Sequence, residues 1–105
     1  MVLKLVLFAG MVMLVFSCGN TAGPEGSMAT SDVAKLYSIR CAMCHGDNGK
    51  LGLAGASDLS ISQMTMEERI AIITNGKGTM TPFKDMISAA EINSLAEYIG
   101  TLRSN

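Results

Sequence analysis

The tightest constraint on this chain is five residues long: Cys41-Ala42-Met43-Cys44-His45. Two thiols separated by two residues, with an imidazole directly after the second, form the attachment pattern for a c-type haem. The spacing follows from the chemistry. Each thiol adds across one vinyl group of a porphyrin, and two intervening residues let one tight turn span both vinyls. The next side chain then lies under the ring, where an imidazole nitrogen can bind iron. The chain has a single histidine, and it stands at that position. Other uses of the pattern compete less well. A thioredoxin-like redox pair sits beside a βαβ pattern, which is not visible here. A Cys/His zinc site wants four ligands, and no second pair follows. A plain structural disulfide is the remaining alternative. The motif therefore assigns Cys41 and Cys44 to covalent attachment of one haem c, and His45 to the iron.

Thiol chemistry of this kind belongs outside the cytoplasm, and the start of the chain agrees. Lys4 precedes an unbroken apolar run from Leu5 to Phe16. That is the layout of a signal peptide, and the run is too short to cross a bilayer. Val15-Phe16-Ser17-Cys18 resembles the lipobox of bacterial lipoprotein precursors, in which the cysteine is acylated and becomes the first residue of the mature protein. Cys18 is also the odd thiol once Cys41 and Cys44 are assigned, and an odd cysteine in an exported protein asks for a partner. Residues 1–17 are thus expected to be a signal peptide and Cys18 a lipidation site. Residues 18–31, small, polar and containing glycine and proline, read as a flexible tether, with residues 32–105 as the folded domain.

The 105-residue chain suffices for one small domain. Its formal net charge of −1 includes Lys4, so loss of the leader makes it slightly more acidic. With no basic cluster and no aromatic platform, nucleic acid is not an expected partner. Three helices can be placed. The first covers about Asp32–Cys41, capped by Ser31 or Asp32, with Val33, Leu36 and Tyr37 on one face. The second covers about Met66–Asn75, between a Thr65/Glu68 capping box and a stop at Asn75-Gly76. The third covers about Ala89–Leu102, opened by a Ser88/Glu91 capping box. Its stripe of Ile92, Leu95, Ala96, Ile99 and Leu102 has helical period. No strand-like alternation turns up, so the fold class is all-α. A domain this small buries a marginal core of its own, and a haem would add apolar bulk.

Iron bound by one histidine has a second axial side. Met80, in Gly78-Thr79-Met80-Thr81-Pro82-Phe83, lies in a loop that glycine and proline shape to carry a side chain back over a porphyrin. It is the expected sixth ligand. Met43, Met64, Met66 and Met86 are expected to serve as packing, the usual role of methionine.

From Asp32 to Leu102 the chain resembles a class I cytochrome c of the short, single-domain bacterial type. The resemblance runs in order through VAKLYSIRCAMCHGDNGK, GASDLS, TMEERIAIITNGKGTMTPF and ISAAEINSLAEYIGTL. It implies the cytochrome c fold: three main helices around a covalently bound haem, the first and last crossing. Tyr37 and Tyr98 fall at the aromatic positions of that crossing, and Gly78-x-Met80-x-x-Phe83 matches the distal-ligand loop. Three positions depart from the family. Val33 stands where many members have glycine at the crossing, which predicts looser or shifted packing there. Ser57 stands where the family has the proline whose carbonyl accepts the proximal histidine Nδ1–H, so another carbonyl in 53–57 has to serve. There is no tryptophan to donate to a haem propionate.

The function expected from these readings is one-electron transfer on a His45/Met80-ligated haem c, with no catalysis. The protein would be a monomer, exported and held by a lipid anchor on the periplasmic side of a bacterial membrane. Its partners would be redox proteins of a respiratory chain. The alternative, should Met80 not ligate, is a haem enzyme or small-gas sensor with an open distal site.

Overall fold

The computed structural model describes residues 28–104. The expected signal peptide, Cys18 and most of the expected tether lie outside the described residues. The architecture is all-α, in the order α1 (Thr30–Arg40), α2 (Ala42–His45), α3 (Met66–Asn75) and α4 (Ala89–Thr101). Short 3-10 turns stand at Leu53–Gly55 and Leu102–Ser104. Among the described residues there is no strand, only an isolated bridge between Lys77 and Met80.

The two later helices start where their local chemistry says they must. The Thr65 hydroxyl accepts from the Glu68 N–H at 3.2 Å, and Glu68 returns the bond to the Thr65 N–H at 2.7 Å. Ser88 and Glu91 make the same reciprocal pair at 3.1 and 2.7 Å. Each box satisfies two of the donors that a helix start leaves unpaired.

The first helix departs from expectation. It begins at Thr30, inside the stretch read as tether, with Ala29 as N-cap and no side-chain cap bond. The Asp32 and Val33 N–H groups donate instead to the Ala29 carbonyl. Asp32 therefore sits inside the first turn, where its charge favours the positive end of the helix dipole. A tertiary tie stands in for the cap. Met28 packs against the core, and its N–H donates to the Ser94 hydroxyl of α4 at 3.4 Å.

α4 packs against both α1 and α3. Its predicted stripe is the centre of the core: Ile92, Leu95, Ala96, Ile99 and Leu102 are all buried. Val33 is buried against this core, so valine is accommodated where the family commonly has glycine. The rings of Tyr37 and Tyr98 meet with centroids 5.2 Å apart and planes tilted by 50°, a favourable aromatic geometry. Tyr37 is only 1% exposed, and its hydroxyl donates to the Gly46 carbonyl at 2.7 Å.

Burial, with smaller contributions from Tyr98 and Asp47, holds the Tyr37 phenol well above its ordinary pKa of 10.0. The unfolded chain gives up this proton first. The stability it confers is therefore complete below pH 10.0 and declines as pH rises above it. Denaturant melts across alkaline pH should show that decline in the wild type and a shallower one in Tyr37→Phe. At neutral pH the variant should be less stable by about 1 kcal/mol, the worth of one hydrogen bond.

Candidate cofactor site

α1 delivers Cys41 to the site and stops there. The Cys41 N–H still bonds the Tyr37 carbonyl at 2.8 Å, but its φ of −120° leaves the helix. The single turn of α2 follows, with the His45 N–H on the Cys41 carbonyl at 3.0 Å. Gly46, at φ 76°, then turns the chain sharply; a Cβ there would lie 2.9 Å from Leu51 Cβ. Cys41, Cys44 and His45 thus share one compact turn behind Tyr37. Cys41 is buried and Cys44 half-buried.

His45 Nδ1 lies 3.0 Å from the Ser57 carbonyl oxygen. A carbonyl only accepts, so Nδ1 carries the proton and Nε2 keeps its lone pair for a metal. The acceptor sought within 53–57 is therefore Ser57 itself. A main-chain oxygen does the work, and proline is not needed to supply it. Nearby bonds hold this carbonyl in place. Asp58 Oδ1 accepts from the Ser60 N–H at 2.9 Å and from its hydroxyl at 2.6 Å. Those bonds keep the Asp58 carboxyl below the usual carboxylate range. The Leu59 N–H ties the segment back to the Gly49 carbonyl at 2.8 Å.

Cys41, Cys44, His45 and Met80 all line one cavity of about 490 Å³. Its other walls are largely apolar, with Leu53, Leu59, Ile72, Ile73, Phe83 and Ile99 among them. The volume is that of a cofactor site rather than of a packing defect. Among the described residues, no three His, Cys, Asp or Glu side chains converge closely enough to hold an ion between them. Cys41, Cys44 and His45 instead stand on one turn at the wall of a cavity large enough for a planar group. Two thiols, an imidazole with a fixed tautomer, a thioether and apolar walls together fit a covalently held haem.

The loop carrying Met80 folds back on the end of α3. The Phe83 N–H bonds the Ile73 carbonyl at 2.9 Å and the Lys84 N–H the Thr74 carbonyl at 3.3 Å. The Thr79 hydroxyl donates across the cavity mouth to the Ala54 carbonyl at 3.2 Å, joining this loop to the one near Ser57. Of the other methionines, Met43 is 74% exposed, Met86 is 48% exposed and Met66 packs against the core. Met64 lines the cavity, a position its sequence context did not suggest. Arg69 lines it too, and here a signal was present: Arg69 precedes Ile72 and Ile73 by helical spacing and shares their face.

Comparison with known proteins bears on the same features. The family model described as "Cytochrome C oxidase, cbb3-type, subunit III" matches residues 29–99. A cytochrome c6-like protein of Nostoc sp. is 31% identical over 103 residues, covering 92% of this chain and 88% of its own. Cytochrome c6 of Leptolyngbya boryana is 35% identical over 71 residues, covering 62% of this chain and 82% of its own. The solved structure of KustC0563, a c-type cytochrome, superposes with a TM-score of 0.60 at 28% identity, covering 67% of this chain and 95% of that one. The chain belongs to the class I c-type cytochromes. Its cofactor is accordingly haem c, bound covalently.

The return of the Met80 loop depends on Gly76. Its φ is 71°, and a Cβ there would lie 2.5 Å from the Met80 carbonyl oxygen and 2.9 Å from Pro82 N. Gly76→Ala should therefore lower stability by about 1–3 kcal/mol from backbone strain alone, and more where the loop cannot give. Thermal melts of holoprotein with and without the substitution measure this directly.

Proposed function

We propose that this electron-transfer cytochrome holds its haem through thioethers to Cys41 and Cys44 and binds the iron with His45 and Met80. We further propose that an acylated Cys18 tethers it to the periplasmic side of a bacterial membrane. The observation that carries the site assignment is the meeting of Cys41, Cys44, His45 and Met80 in one apolar cavity. The bound group supplies one-electron exchange between ferric and ferrous iron. The protein's part is to fix and tune it. Ser57 orients the imidazole of His45, and the loop hinged at Gly76 presents the Met80 sulfur. A neutral, soft thioether and apolar walls favour the less charged ferrous state. Were His45 and Met80 both bound to the iron, oxygen and peroxide would find no free coordination position, which suits an electron carrier rather than an enzyme.

Redox proteins of a respiratory chain are the proposed partners: a quinol-oxidising complex as donor and a terminal oxidase or reductase as acceptor. The cbb3-type cytochrome c oxidase subunit FixP of Azorhizobium caulinodans supports a respiratory setting. It is 30% identical over 91 residues, although this chain covers only 30% of its length.

The decisive experiment separates Met80 from Met64. Met80→Ala holoprotein should lose the far-red charge-transfer band of thioether ligation, acquire a lower potential and bind CO, while Met64→Ala keeps the band. Loss of the band in Met64→Ala alone would move the ligand to Met64. Ready CO binding by the wild type would replace the carrier with a gas-binding or catalytic protein.

Tethering has its own test. More than one acyl chain, at about 0.8 kcal/mol per buried methylene, gives stable anchoring. Cys18→Ala should therefore move the cytochrome from the membrane to the soluble fraction with its visible spectrum unchanged. Equal retention would end the lipoprotein assignment.

A further inference from the structure

Two loops form the rim of the cofactor cavity, and both are tied at their ends rather than along their length. Residues 52–56 lie between the Leu51 N–H, on the His45 carbonyl at 2.9 Å, and the Ser57 carbonyl, 3.0 Å from His45 Nδ1. Residues 77–82 lie between the Gly76 N–H, on the Ile72 carbonyl at 2.8 Å, and the Phe83 N–H, on the Ile73 carbonyl at 2.9 Å. Within the loops the bonds are local: the Ala56 N–H to the Leu53 carbonyl and the Met80 N–H to the Lys77 carbonyl, both at 3.0 Å. One bond runs between the loops, from the Thr79 hydroxyl to the Ala54 carbonyl at 3.2 Å, across 25 positions of sequence. Among the described residues it is the only hydrogen bond that either loop makes beyond itself.

Both ends of this bond are poised to move. Ala54 and Thr79 line the cavity and are exposed, which puts them at its edge. Ala54, at φ 54°, is the one non-glycine residue with positive φ among the described residues, and opening its loop relieves that strain. Gly78, directly before Thr79, has φ 59°, and a Cβ there would touch nothing, so packing does not fix the chain at that point. We propose that Thr79 is the positioning residue of the distal ligand: its hydroxyl latches the Met80 loop to the loop that leads to Ser57, and so sets how often the Met80 sulfur leaves the iron. The inference rests on the reading of Met80 as the sixth ligand. Thr79 acts on the iron only through its neighbour Met80. Coupling of this kind is reciprocal, so releasing the latch loosens both loops and not the distal one alone.

The test uses holoprotein, with cyanide on the ferric form as the probe. At low cyanide the binding rate tracks the fraction of molecules in which Met80 is off the iron. Thr79→Val keeps the shape and removes the donor, and it should raise that rate about threefold, the worth of one exposed hydrogen bond. Thr79→Ser, which keeps the hydroxyl, should stay at the wild-type rate. So should Thr101→Val, which removes an exposed hydroxyl bonded within its own helix to the Tyr98 carbonyl. The thioether-ligation band should persist in all three. Amide hydrogen exchange reads the loops whatever binds the iron. In Thr79→Val the Ala56 and Met80 amides, one in each loop, should both exchange faster, while those of Leu95 and Ala96 in α4 keep their rates. A threonine that merely adds to global stability would speed all four. Absence of the thioether band from the wild type would sink the Met80 reading, and the latch's hold on the iron with it. With the band present, an unchanged cyanide rate in Thr79→Val, or unchanged exchange at either loop amide, would overturn the proposal.

Discussion

The Tyr37 side chain does two jobs at once, and the site is built on their combination. Its ring lies against Tyr98 and fixes how α1 meets α4, while its hydroxyl holds the Gly46 carbonyl at 2.7 Å, directly after the attachment motif. The turn bearing Cys41, Cys44 and His45 is therefore referenced to the helix crossing rather than left as a surface loop. Both ends of this link are short and geometrically specific. One is a tilted ring pair and the other a buried hydroxyl with a single acceptor.

From that fixed turn the chain runs round the cavity in two loops. The first reaches Ser57, whose carbonyl settles the tautomer of His45. The second leaves α3 at Gly76 and returns to it through Phe83, bringing Met80 to the cavity wall. The Thr79–Ala54 hydrogen bond joins the two loops directly. Ala54 takes a φ of 54°, a left-handed conformation that carries a cost for a residue with a Cβ. It stands where the loops meet, so strain there is borne by the segment that closes the site.

The core is correspondingly one-sided. Its buried residues cluster along α4 and the faces of α1 and α3 that meet it, while the cavity occupies the space between those helices and the loops. A domain of this size gains little from its own side chains alone, so an apolar cofactor attached by covalent bonds contributes to folding as well as to function. Tuning then falls to a few polar contacts in apolar surroundings, where each counts for more than it would in water.

What the sequence determined by itself is whatever depends on neighbours a few residues apart. The spacing of Cys41, Cys44 and His45 is such a feature. So are the two capping boxes, the stop at Gly76 and the apolar period of α4, and these last three stand in the structure as they read in the chain. Covalent reach, helix-start hydrogen bonds and helical period are local physics. The tertiary structure alone decided the features that join distant segments. It set the start of α1, where Met28 is tied to Ser94 across 66 positions. It chose the Ser57 carbonyl as the partner of His45, and it brought Met64 as well as Met80 to the cavity wall. It also placed the Arg69 guanidinium against Gly100. A carbonyl exists at every residue and a methionine can pack anywhere, so residue type carries no record of which will meet the site. Only the path of the loops makes that choice.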